Sequence, residues 1–163
     1  MVLEYLHPRN PGTFQSSLNT YIKQQVVEYV ELNPKGNFDN WECSKVKELN
    51  AKSVSEHLGE ELLYENRNMK VWSVTLLPDE RLPFRRINSN YCYVSMTKGL
   101  AITHNGNGEI TLLRLAEGDS SFMQMEGREA IHDLENIGEN ILMLHIMEFK
   151  PMIKETNAIL KML

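Results

Sequence analysis

The sequence has 163 residues, of which 42% are hydrophobic and 24% are charged, a balance that excludes a largely disordered chain and fits a single domain. Seventeen basic and 22 acidic side chains give a formal net charge of −5, so the chain has no overall basic field for nucleic acid. Two cysteines are too few for a disulfide scaffold, and no apolar membrane span or signal peptide is visible, which predicts a cytoplasmic protein with neither a nucleic-acid nor a membrane partner.

Residues 1–65 are predicted to form an N-terminal extension that contains a strand and a short helix. Ser16 or Ser17 is a suitable cap for a helix, and the β-branched, aromatic run Val26–Leu32 predicts a strand. A second short helix is predicted between Lys52 and Leu63. We expect this extension to cover the domain that follows or to build a dimer interface.

The next segment, residues 66–150, contains short apolar runs at close spacing with turn residues between them. In Trp72–Leu76 every second residue is apolar, as on a strand with one buried face. Asn105-Gly106-Asn107-Gly108 separates two such runs and predicts a hairpin, because these residues tolerate positive φ. The last run, Ile141–Phe149, is apolar on both faces and predicts an interior strand. The number and spacing of the runs predict an all-β sandwich or barrel.

Residues 151–163 are predicted to be a C-terminal tail. Pro151 ends the last strand, because proline has no N–H for a strand ladder. The run Asn157–Leu163 is apolar enough to pack back on the domain or to meet another subunit. A homodimer is predicted, because a single barrel would leave this tail and the N-terminal strand partly exposed.

One segment of this region resembles the first conserved motif of the cupin family, the RmlC-like barrels. In that motif a glycine, a His-x-His pair, a glutamate and a closing glycine follow one another. Asp79 stands at the first glycine, and Arg85 and Ile87 stand at the two histidines. Cys92 falls at the glutamate and Gly99 at the closing glycine.

The second cupin motif also has a counterpart. Gly118-Asp119 resembles its opening Gly-Asp, and His132–Asn136 followed by Gly138 resembles its His-x-x-x-Asn end. The resemblance covers about residues 69–150 and implies an antiparallel jelly-roll barrel, also called a double-stranded β-helix, with a pocket inside and usually dimeric. A typical member holds one divalent metal on the motif histidines and the glutamate. The His-x-His spacing suits this role, because residues two apart on a strand face the same side.

The usual cupin metal ligands are mostly absent from this sequence. Arg85 offers only donors and a fixed positive charge, and Ile87 has no lone pair, so neither binds a cation. His132 is the imidazole that remains, and Cys92 is either a soft ligand or a small buried apolar residue. The resemblance therefore implies a cupin without its usual metal site and without a cofactor, with Arg85, Ile87, Cys92 and His132 as pocket residues.

The arginine at a ligand position points to a different kind of site. A buried guanidinium needs a partner, because an unpaired buried charge is costly. The partner is either an internal carboxylate, with Asp133, Glu135 and Glu148 as candidates, or a carboxylate or phosphate of a ligand, which fits the planar fork of arginine. A third alternative is a different strand register, which would leave Arg85 exposed. We predict a protein that binds a small molecule in the barrel, an anion where Arg85 faces the interior.

Two other functional classes remain open. One is an enzyme of the dioxygenase, isomerase or decarboxylase class with an atypical divalent metal on His132 and Cys92, and the missing ligands count against it. The other is a non-catalytic structural or interaction protein whose barrel mainly presents a dimer surface.

Overall fold

The computed structural model describes residues 28–32, 36–51 and 54–151, which form two five-stranded antiparallel sheets and one short helix. In chain order the elements are β1 (Glu28–Glu31), α1 (Cys43–Leu49), β2 (Glu61–Glu65), β3 (Met69–Leu76), β4 (Arg81–Ile87), β5 (Tyr91–Ser95), β6 (Gly99–His104), β7 (Ile110–Leu115), β8 (Ser120–Met123), β9 (Ala130–Asn136) and β10 (Leu142–Phe149). The predicted all-β fold is therefore confirmed. Within these residues no helix is long and apolar enough to cross a membrane.

The ten described strands are divided equally between two sheets. One sheet has the order β1-β7-β6-β9-β4, and the other has the order β2-β3-β10-β5-β8. Trp72, Val74 and Leu76 on β3 are all buried in the core between the sheets, as their alternation predicts. Strand β10 lies between β3 and β5, which confirms the prediction of an interior strand at the end of the domain.

The predicted hairpin connects β6 and β7. The Asn105 N–H donates to the Glu109 carbonyl at 2.8 Å, and the Gly108 N–H donates to the Asn105 carbonyl at 2.8 Å. Gly108 has φ +93°, and a Cβ at this position would lie 2.7 Å from the backbone of Gly36. Glycine is required here for both reasons, because the turn needs positive φ and the chain passes close by.

The prediction of a helix between Lys52 and Leu63 is wrong for residues 54–63, which the structure describes. This segment forms backbone pairs with strands of both sheets instead. Ser55 forms a parallel bridge with Arg85 on β4, and residues from Glu61 onward pair with β3. Between these two attachments the chain passes so close to β3 that a Cβ at Gly59 would lie 2.5 Å from the Cβ of Trp72. The contacts with β3 and β4 therefore override local helix preference.

Of the other predictions for the ends of the chain, the strand within Val26–Leu32 is confirmed as β1. The helix with Ser16 or Ser17 as its cap and the run Asn157–Leu163 lie outside the described residues.

The segment 36–51, which contains α1, lies against the outer face of the β1-β7-β6-β9-β4 sheet. Trp41 is buried there, with its ring stacked on Phe84 at 5.8 Å between centroids and in edge contact with His104 at 5.0 Å. Both partners are strand residues of this sheet. The sheet is therefore covered on its outer side, and its inner side faces the core.

Candidate functional site

Arg85 on β4 and His132 on β9 are direct partners in the antiparallel register. Ile87, two residues after Arg85, and Leu134, two residues after His132, both belong to the core between the sheets. Because residues two apart on a strand share a face, the side chains of Arg85 and His132 project together toward the barrel interior. The structure therefore brings three of the predicted pocket residues, Arg85, Ile87 and His132, to the same inner face.

Arg85 has few partners for a side chain in this position. Its Nη1 donates to Ser55 Oγ at 3.1 Å, while its Nε is buried and has no hydrogen-bond acceptor among the described residues. No carboxylate of this part of the chain forms an ion pair with it. Burial lowers the pKa of Arg85, while the charges of Glu60 and Glu48 raise it. The group stays a cation, because an arginine side chain keeps its proton in proteins.

Two of the carboxylates predicted as internal partners of Arg85 bind other groups instead. Glu148, on the inner face of β10, accepts hydrogen bonds from Trp72 Nε1 at 2.8 Å and from Ser89 Oγ at 3.3 Å. Glu135, on the outer face of β9, accepts a hydrogen bond from Lys45 Nζ at 2.6 Å. Neither carboxylate is within ion-pair distance of Arg85.

The third candidate, Asp133, is the centre of a buried network on the outer face of the sheet. Its carboxylate accepts from the backbone N–H of His104 at 2.6 Å, from His104 Nδ1 at 3.0 Å and from Arg81 Nη1 at 3.1 Å. Arg81 also forms an ion pair with Glu48 of α1. This network joins α1 to β4, β6 and β9.

The same network contains the one group of three metal-ligating side chains found among the described residues. Ligand atoms of His104, Asp133 and Glu135 lie within 4.8 Å of one another. The carboxylates of Asp133 and Glu135 already bind the cations of Arg81 and Lys45. A divalent ion would have to compete with both cations, so the arrangement is best described as a buried ion-pair network.

His132 is partly buried, and its ring bonds to the chain through one nitrogen. Its Nδ1 lies 3.2 Å from the carbonyl oxygen of Asp133. The same carbonyl oxygen also accepts a hydrogen bond from the Thr103 hydroxyl at 2.7 Å. Burial lowers the pKa of His132, and the carbonyl and charge of Asp133 act in the opposite direction with smaller effect. The imidazole is therefore neutral at neutral pH.

This lowered pKa predicts a pH dependence of stability. Above the ordinary histidine pKa of about 6.5 both the folded and the unfolded chain hold His132 neutral, and below it only the unfolded chain takes up the proton readily. The folded state therefore loses stability as the pH falls below the ordinary pKa of about 6.5, and the loss levels off at the lowered pKa of the folded state, where the folded chain also takes up the proton. We expect His132→Phe to lose less stability than the wild type between about pH 7.5 and pH 5, measured by urea unfolding at each pH. Parallel stability curves for the two proteins would contradict this.

Cys92 does not share the interior with Arg85 and His132. Its neighbours Tyr91 and Tyr93 pack in and against the core, so Cys92, between them, faces the outer side of its sheet opposite Met147. Burial raises the pKa of Tyr93 to about 12 and raises that of Tyr91 further, so both phenols are neutral. The sequence shows that Tyr91 and Tyr93 share a face opposite Cys92, but not which face is inner.

Ser55 is the site residue that sequence reasoning missed. It contacts Arg85 although the two are 30 residues apart in the chain, and its Oγ also accepts the N–H of His57 at 3.2 Å. A serine in a segment with no strand pattern carries no local indication of such a contact.

A separate groove of about 750 Å³ lies at the end of the barrel. It contains none of the predicted pocket residues and is lined by Lys98, Gly99, Leu100, Arg114, Leu115, Ala116, Asp119, Ile137, Gly138, Glu139 and Asn140. Its charged residues are two cations and two carboxylates, so it offers no clear preference for a charged ligand.

No protein-family model matches the sequence, and no curated protein does. Solved structures do match. A cupin domain from Bordetella pertussis Tohama I is 23% identical, with a TM-score of 0.50 over 62% of this chain and 99% of that one. A double-stranded β-helix protein from Klebsiella pneumoniae is 15% identical, with a TM-score of 0.46 over 68% and 90% of the two chains. An RmlC-like cupin from Methanocaldococcus jannaschii is 18% identical, with a TM-score of 0.45 over 55% and 76%.

The match to the Bordetella pertussis domain shows the fold: the chain forms a double-stranded β-helix like that of a cupin domain, as the resemblance of the two motifs implies. The backbone at two motif positions agrees with this, since Gly118 has φ +86° and Asp79, which stands where the family has glycine, has φ +65°. Both values lie in the left-handed region that favours glycine.

The inner face of this barrel does not fit the metal that cupin folds commonly hold. Arg85 is a cation, Ile87 has no lone pair, and Cys92 is directed away from the interior. His132 is left as the single imidazole at the family's ligand positions, and one ligand does not make a metal site.

Proposed function

We propose that the barrel binds a small anion, a carboxylate or a phosphate, at Arg85. The observation that carries this proposal is the buried Nε of Arg85, which has no acceptor in the described part of the chain. An unpartnered buried donor on a charged group is costly, and a bound anion would remove that cost. A carboxylate or phosphate accepts from two guanidinium nitrogens at once, so it would satisfy Nε and one Nη together.

The surroundings of Arg85 support a ligand of small size. Ser55 Oγ accepts a hydrogen bond from Nη1 of Arg85 and so holds one side of the guanidinium. This contact does not involve Nε. His132 is the direct neighbour across the strand pair, and Ile87 and Leu58 belong to the adjacent core. The proposed site thus combines one cation with the polar groups of Ser55 and His132 and with apolar core residues, and the carboxylates of Glu60 and Glu48 lie within electrostatic range of the cation.

A homodimer and a cytoplasmic location belong to the same proposal. The outer face of the β2-β3-β10-β5-β8 sheet supports a dimer, because Phe122, Met143 and Phe149 are exposed there. Phe122 and Phe149 contact each other, with ring centroids 5.9 Å apart. Exposed apolar groups of this kind are typical of interfaces.

The anion site is tested by thermal shift with sodium acetate, succinate or phosphate, against sodium chloride at matched ionic strength. We expect the wild-type melting temperature to rise with at least one of these anions, because a ligand that binds only the folded state stabilises it. A concentration of 100 times Kd corresponds to about 2.7 kcal/mol. Arg85→Ala is expected to abolish the rise.

Arg86→Ala is the matched control. It removes the same charge one residue away, where Arg86 is exposed and pairs with Glu129 at 3.3 Å. We expect this variant to keep the full response to the anion. Equal responses of Arg85→Ala and the wild type would show that the anions bind elsewhere.

A further inference from the structure

We infer that the anion bound at Arg85 also carries a hydroxyl group, and that this hydroxyl donates a hydrogen bond to Nε2 of His132. This inference rests on the proposed anion site and defines its ligand class as a hydroxycarboxylate. The evidence is the hydrogen bond that fixes the protons of the His132 ring.

The ring of His132 is held with its proton on Nδ1. The partner of Nδ1 is the carbonyl oxygen of Asp133, 3.2 Å away, and a carbonyl oxygen only accepts. The Nδ1–H must therefore be the donor. In a neutral imidazole the other nitrogen, Nε2, then carries a lone pair and acts as an acceptor.

Burial keeps the ring in this neutral form. It lowers the pKa of His132 against the influence of Asp133, so the imidazole does not carry a second proton at neutral pH. The chain supplies no donor to Nε2 within the described residues, where the ring's one side-chain hydrogen bond is through Nδ1. Nε2 is thus an acceptor available to a ligand.

Arg85 and His132 present complementary groups to one ligand. They are direct partners on adjacent antiparallel strands and face the same side, so their Cβ atoms are separated by about 4.5–5.5 Å. Arg85 offers only donors, and neutral His132 offers an acceptor at Nε2. A plain carboxylate offers acceptors to the arginine alone. A carboxylate that also carries a hydroxyl offers a donor to Nε2 of His132 as well.

The test compares acids that differ only in this hydroxyl, namely glycolate with acetate and lactate with propionate. Calorimetric titration of the wild type is expected to give about tenfold tighter binding for the hydroxy acid of each pair, the effect of one well-formed hydrogen bond in a partly buried site. His132→Phe is expected to reduce this preference to nearly one while the plain acid still binds.

His145→Phe is the matched control, because His145 lies on β10 between core residues Leu144 and Ile146 and faces the outer side of its sheet. This variant is expected to keep the tenfold preference, and Arg85→Ala is expected to lose binding of both acids. A preference that survives in His132→Phe overturns the inference.

The outcomes separate this inference from the proposal beneath it. If both acids of each pair bind the wild type equally, the hydroxyl inference is wrong and the anion site stands. If neither acid of either pair binds, the hydroxycarboxylate inference fails, and the anion site stands only if succinate or phosphate raises the melting temperature of the wild type and not of Arg85→Ala. Should His132→Phe not fold, nitrogen-15 NMR of the wild-type imidazole decides, because a ring protonated on Nε2 overturns the inference and one protonated on Nδ1 supports it.

Discussion

Replacing Asp133 by alanine is expected to lower the free energy of unfolding by about 3–5 kcal/mol, the range measured when one partner of a buried ion pair is removed. Asp133 is 1% exposed, and its carboxylate accepts two hydrogen bonds from His104, one from the backbone N–H and one from the ring. It also binds the guanidinium of Arg81 at 3.1 Å. Without the carboxylate these donors remain buried and lose their acceptor. Since small domains have total stabilities of about 5–15 kcal/mol, the loss is a large fraction.

The measurement is urea unfolding followed by circular dichroism, with Glu129→Ala as the control. Glu129 is the exposed carboxylate that pairs with Arg86 at 3.3 Å, and loss of such a surface pair costs about 0.5 kcal/mol or less. Each variant thus loses one carboxylate, and the two carboxylates differ in that Asp133 is buried and Glu129 is exposed. A loss below about 1.5 kcal/mol in Asp133→Ala would contradict a central structural role for the network.

The position of Asp133 shows why the site could be predicted only in part. The sequence makes Asp133 a candidate partner of Arg85, but the structure pairs it with Arg81 instead. The reason is a β-bulge in β4: Leu82 pairs with Leu134, while Arg85, three residues later, pairs with His132, only two residues before Leu134. One extra residue places Arg81 on the outer face and Arg85 on the inner face. Pro83 lies within this bulge and is the one sequence signal for it, because proline inside a strand is confined to edge strands and bulges.

The features that were predictable are local ones. The alternation in Trp72–Leu76 and the Asn-Gly turn at residues 105–108 depend on neighbours in the chain, and both are confirmed. The contact of Ser55 with Arg85 depends on chain segments that meet only in the folded barrel. The placement of Cys92 depends on register, since a shift of one residue moves a side chain to the other face of a sheet.

The bulge also places Phe84 on the outer face of the sheet. Next to the inward-facing Arg85, it lies on the outer face and is 2% exposed, stacked on Trp41 at 5.8 Å with ring planes at 10°. The guanidinium of Arg81 lies 5.3 Å from the ring centroid of Phe84. The backbone N–H of Phe84 donates a hydrogen bond to Glu48 Oε1 at 2.8 Å. The ring therefore joins the segment that carries α1 to β4.

Phe84→Ala is expected to lower the free energy of unfolding by about 3–5 kcal/mol, because it removes a large buried ring and leaves a cavity under Trp41. Urea unfolding measures the loss, and tryptophan fluorescence is expected to shift to longer wavelength in the native variant as Trp41 gains solvent. Phe122→Ala removes the same ring at a position that is 41% exposed, and we expect it to cost less than about 1 kcal/mol. Equal losses in the two variants would mean that the segment 36–51 is not held to the barrel through Phe84.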